Sequence, residues 1–213
     1  MALCALAQGQ TTPAGAPPAV AAAEIKGMPP RASAAEFPVR AQVGHVTIAA
    51  EFTGHGVGTP QGALTTEDYV VVELGLYGAP EARAKISLSD FSLRINGKKA
   101  LPGQQYGMVL STLKDPEWQP PEELKPTKSK MGGVSAGGGG PQAGEAPTPP
   151  KMTFAERRAM EQKVQKAALP EGDRALPVAG LLFFQYRGKD SAIKSAELVY
   201  EGPAGKATMQ LQK

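Results

Sequence analysis

From Asp68 to Tyr77 the chain reads Asp-Tyr-Val-Val-Val-Glu-Leu-Gly-Leu-Tyr, and few structures can accommodate that run. Its three consecutive valines are branched at Cβ, which suits a pleated strand better than a helix. In a strand, successive side chains point to opposite faces. Val70, Val72, Leu74 and Leu76 therefore share one face, and Tyr69, Val71 and Glu73 share the other. A strand that is apolar on one whole face and on much of the second belongs in the middle of a sheet.

Other segments carry the same alternation. A first strand is expected over Val43, Val46 and residues 48–52, ending at the glycine-containing stretch 54–62, which suits a turn or an open loop. Residues 86–95 alternate Phe91, Leu93 and Ile95 with Ser92 and Arg94. Asn96-Gly97 then suits a type I′ hairpin turn, in which both central residues need φ > 0. Residues 105–113 place Tyr106, Met108 and Leu110 at alternate positions, and strands are expected over 178–186, 193–200 and 204–211. About seven strands, joined by short turns and without alternating helices, predict an all-β fold: an immunoglobulin-like antiparallel β-sandwich. In that fold Val72, Phe91, Phe184 and Leu211 should meet in one interior.

About half of the 25 Gly and 20 Pro crowd into residues 9–35 and 116–150, which lack periodic apolar residues and read as linkers rather than core. Residues 1–40 are expected to be a signal-peptide remnant followed by an Ala/Pro-rich tether, and residues 41–213 the sandwich. An insertion at 115–172 interrupts it, flexible over 115–152 and helical over 153–169. Thr153-Phe-Ala-Glu156 fits a capping box at the helix start. Phe154, Met160, Val164 and Ala168 form a narrow apolar stripe that can pack on the sandwich or meet a partner. On the second reading the partner-binding residues are Trp118, Phe154, Arg157, Arg158, Met160 and Val164. Ala5 and Ala7 frame Leu6 in an A-x-A arrangement, so cleavage after Ala7 and an extracytoplasmic, periplasmic or secreted, location are expected. No run of about 18 apolar residues is present, and no transmembrane helix is expected.

Familiar chemistries find little to use here. The single Cys4 allows neither an intrachain disulfide nor a cysteine-based metal centre. The net charge is +3, but Lys and Arg nearly balance Asp and Glu across 114–174. The lone Trp118 sits beside Asp115 and Glu117, so no nucleic-acid partner is expected. His45 and His55, with Glu51 between them, are the one conceivable metal pair. Along a single strand they would be roughly 30 Å apart. Residues 132–140 are glycine-rich but lack the Gly-Lys-Ser/Thr of a phosphate-binding loop, and no G-x-S-x-G elbow exists. No catalytic residue, metal or cofactor is expected, and the chain does not read as an enzyme.

Three stretches carry a resemblance. Tyr69-Val-Val-Val-Glu-Leu, Leu88-Ser-Asp-Phe-Ser-Leu-Arg-Ile-Asn-Gly-Lys98, and Gly180-Leu-Leu-Phe-Phe-Gln-Tyr with Ala196-Glu-Leu-Val-Tyr200 resemble bacterial secreted immunoglobulin-like domains grouped with the mycobacterial immunoprotective extracellular antigen. About half the chain takes part. The chain departs from that pattern at 75–80, where such domains often have an Asn-containing turn, and in its long insertion. The resemblance implies a sandwich and an exported setting, and it transfers no catalytic residue. The expected function is an exported, non-catalytic binding or accessory module with a protein or cell-envelope partner. The alternative is a periplasmic carrier of a small ligand or of copper, which the seven methionines suggest; Met108, Met160 and Met209, however, fall on expected apolar faces.

Overall fold

A computed structural model describes residues 26–118 and 152–211. The signal-like start and most of the Pro/Gly-rich insertion lie outside the described residues.

The expected first strand is two. β1 (Val39–Val43) and β2 (Val46–Gly54) form a hairpin, because Gly44 takes a φ of 57° and turns the chain between them. The stretch expected as a turn or loop is also a hairpin, β3 (Gly56–Thr59) with β4 (Gly62–Thr66), whose turn is tied by the Thr59 hydroxyl donating to the Gly62 carbonyl at 2.7 Å. The long strand β5 (Tyr69–Tyr77) follows as its alternation requires. After β6 (Arg83–Ile86) come β7 (Phe91–Ile95) and the Asn96-Gly97 turn, with φ of 53° and 68°, and then β8 (Leu101–Gln104).

Residues 105–113 are not a strand. They form the short helix α1 (Tyr106–Val109) and a 3-10 turn before the two-residue strand β9 (Leu113–Lys114). Tyr106, Val109, Leu110 and Leu113 also satisfy i, i+3, i+4, i+7 spacing, and the structure uses that period. Val109 and Leu113 are buried, whereas Met108, expected inside, is 59% exposed. The chain then passes through helix α2 (Phe154–Ala167), β10 (Gly172–Ala175), β11 (Val178–Gln185), β12 (Ala196–Gly202) and β13 (Gly205–Leu211).

The fold is mostly β. Eight strands pair in the order β1-β2-β5-β11-β8-β7-β12-β13, antiparallel throughout, and the outer strands β1 and β13 come alongside each other, so the sheet is nearly barrel-like. β6 pairs with β10, and β3, β4 and β9 make a third small sheet. Val72, Phe91, Phe184 and Leu211 do meet in one buried cluster, with Leu74, Leu93, Leu182 and Leu198 among them. Burial of each such side chain contributes about 1.5–3 kcal/mol.

A second apolar cluster lies on the outer faces of β5 and β11. Tyr69, Val71, Leu181 and Phe183 are covered there by Val57 and Leu64 of the β3–β4 hairpin, by Val109, and by Met160, Val164 and Ala167 of α2. β11 is thus buried on both sides, which explains its unbroken run Gly180-Leu-Leu-Phe-Phe184.

Residues before 41 also contact the sheet. The Met28 amide donates to the Ala179 carbonyl at 2.9 Å. Farther along, Arg31 bridges Glu51 (2.5 Å) and Glu73 (2.7 Å), which face each other across β2 and β5. Two carboxylates directly opposite in a sheet repel, and the guanidinium between them converts that repulsion into a clasp, with the Phe37 ring 4.1 Å beneath it. Among the described residues no helix is long and apolar enough to cross a membrane.

Candidate interaction surface

Helix α2 begins as its sequence dictates. The Thr153 hydroxyl accepts from the Glu156 amide at 3.3 Å, and the Glu156 carboxylate accepts from the Thr153 amide at 2.7 Å, closing the capping box. The other oxygen of Glu156 accepts from the Trp118 indole N–H at 3.1 Å. One carboxylate therefore ties the 115–118 turn to the helix start. Hydrogen bonds from the Thr153 amide, its hydroxyl and Trp118, in that order, hold the Glu156 carboxyl below the usual glutamate range.

Beside this junction runs an open groove of about 540 Å³, in which Trp118, Met152, Leu113 and Arg157 face Glu67 and Asp68. Two of its acidic groups are already engaged. Glu67 pairs with Lys114, and Asp68 pairs with Arg187 at 3.4 Å. On the solvent side of the first helical turns Phe154 is 75% exposed, with the Arg158 guanidinium 5.9 Å from its ring centre. Trp118 and Arg157 thus share the groove, and Phe154 and Arg158 share the open helix face. Met160 and Val164 point the other way, into the second core, where they are 4% and 0% exposed. Met209 is buried as well.

The two histidines stand at opposite ends of β2. The His45 Nε2 lies 3.4 Å from the Arg83 carbonyl. The His55 ring contacts Asp190 through Nδ1 at 2.6 Å and the Tyr186 carbonyl through Nε2 at 3.3 Å. Glu51, the third member of the conceivable metal set, is held by Arg31. Among the described residues no group of three or more metal-ligating side chains converges.

Sequence reasoning missed a second feature, a pocket at one end of the curled sheet that includes Lys85, Asp90 and Tyr200. Nothing local flags it. Lys85 and Asp90 lie in and beside a four-residue strand that finds its partner, β10, almost ninety positions farther along the chain.

Searches against protein-family models, curated proteins and solved structures found no match for this chain.

Proposed function

We propose that the protein is an exported, non-catalytic binding or accessory module that recognises a cell-envelope protein through the start of α2 and the adjoining groove. The observation that carries this reading is Phe154. It is a large aromatic side chain, mostly in solvent, on a helix start fixed by a capping box and by Trp118, and it is flanked by Arg157 and Arg158. Aromatic and arginine side chains on a rigid support are the usual anchors of protein interfaces. Export is supported by Ala5-Leu6-Ala7 and by the resemblance to secreted immunoglobulin-like domains.

The two-layer, immunoglobulin-like reading of the architecture belongs to the same proposal. β8 pairs with β11 at two positions and with β7 at two positions. That thin link supports taking β1-β2-β5-β11 and β7-β12-β13 as two layers, with residues of both strand sets in the common interior. The histidine positions give a metal carrier no support.

The contact surface is tested by placing a photo-crosslinking residue at position 158 in the full chain and comparing it with the same chain carrying Phe154→Ala. A single crosslinked envelope protein, lost in the Phe154→Ala chain, is the expected result. Equal crosslinking with and without the ring would sink the proposal. The export claim has its own test: the native protein should begin at Gln8, and an intact Met1 on cytosolic material would contradict it.

A further inference from the structure

The pocket at the end of the sheet lies where β6 passes over the β1–β2 and β12–β13 turns, and it encloses about 100 Å³. Its walls are apolar: Ile48, Leu76, Ile86 and Phe91, all nearly inaccessible to solvent. A dry cavity of about 150 Å³ holds one benzene ring, so this one suits a branched alkyl group of three or four carbons.

The lining also carries charged groups. Asp90 lines the pocket half-buried. Desolvation pushes its carboxyl above the usual aspartate range; the Ser87 backbone hydrogen bond and the Lys85 charge oppose that effect, and the Glu171 charge adds to it. A carboxylate in this position gains from an ammonium brought to it, because a charge-assisted hydrogen bond replaces lost hydration. His45, Arg83 and Lys85 also line the pocket, all three exposed, and they are not equivalent. Arg83 is held by Asp173 at 3.0 Å, and the His45 ring leans on the Arg83 carbonyl. Lys85 is exposed, and its charge already acts on Asp90. A simple amine entering the pocket would meet repulsion from Lys85. A simple carboxylate would meet repulsion from Asp90. A molecule carrying both charges on one carbon, with an alkyl branch beside them, can offset both by setting its ammonium against Asp90 and its carboxylate against Lys85.

We propose that this pocket binds a small zwitterion with a branched aliphatic side chain, an α-amino acid of valine or leucine size, its ammonium on Asp90 and its carboxylate on Lys85. The site shares no residue with the groove beside α2 and stands or falls apart from the partner proposal.

The test is calorimetric titration of the full chain with L-leucine, 4-methylpentanoate and isopentylamine, the last two lacking the amino and the carboxyl group respectively. Saturable leucine binding is expected, weakened about tenfold or more when either charged group is removed from the ligand. Asp90→Asn and Lys85→Met should each weaken leucine to a similar extent. Lys85 is exposed, so Lys85→Met keeps the test decisive should Asp90→Asn disturb folding. Absence of saturable leucine binding, binding of either analogue as tight as that of leucine, or leucine affinity unchanged in Lys85→Met would each overturn the proposal.

Discussion

Phe184→Ala is expected to remove about 3–5 kcal/mol of folding stability, the usual range for deleting a fully enclosed ring. Phe184 is 0% exposed, sits opposite Val70 on β5 and Gly103 on β8, and belongs to the common interior of the eight-stranded sheet. Domains of this size are stable by roughly 5–15 kcal/mol, so the variant should be poorly folded or marginal. Urea unfolding reads the effect as a fall in midpoint with little change in slope. A loss under about 1 kcal/mol would mean that the ring is not in a packed interior.

Gly180→Ala is the second large effect, and it acts on the backbone. A Cβ at position 180 would lie 2.4 Å from the Leu169 Cα and 2.6 Å from its nitrogen. Neither atom can rotate away. Residues 168 and 169 are tied to β11 there, the Leu169 amide donating to the Leu181 carbonyl at 3.1 Å, and that bond fixes where the end of α2 meets the sheet. The substitution should cost about 1–3 kcal/mol and strip hydrogen-exchange protection from the Leu169 amide. Gly107→Ala is the matched control. The added methyl meets nothing within 4 Å, and stability should change little or improve. If the two alanines behave alike, the close approach of α2 to β11 is wrong.

How much of this was legible in the sequence depended on whether one local pattern dominated a segment. At Tyr69–Tyr77 the alternation admitted a single reading, and the even-numbered residues Val70 to Leu76 do face the interior. Thr153 and Glu156 likewise announced the start of α2, because a capping box requires only residues three apart. Residues 105–113 satisfied both a two-residue and a helical period, so alternation alone could not decide. The deciding contact was Val109 against the second core, a long-range fact. Gly54, Gly56, Gly58 and Gly62 hid a hairpin, because glycine gives a strand no side-chain signature.

The candidate sites were less legible than the fold. Trp118 and Arg157 lie 39 positions apart within the insertion, and both line one groove. The helical stripe itself divides. Phe154 stays in solvent while Met160 and Val164 are buried, because the helix lies against a sheet face whose apolar residues, Val71, Leu181 and Phe183, are distant in sequence. The terminal pocket had no sequence signal at all. Lys85, Asp90 and Ile48 come from separate elements, and only the tertiary fold brings them around one space.

The central claim is that β5 and β11 are covered twice, by the common interior on one side and by α2 on the other. Methyl NOE spectroscopy on the full chain tests it directly. Cross-peaks should connect Met160 and Val164 to Val57, Val71 and Leu181, while Val72 and Leu182 connect to Leu198 and never to the helix. Helix methyls without any sheet partner, or helix cross-peaks to Val72 and Leu182, would contradict it.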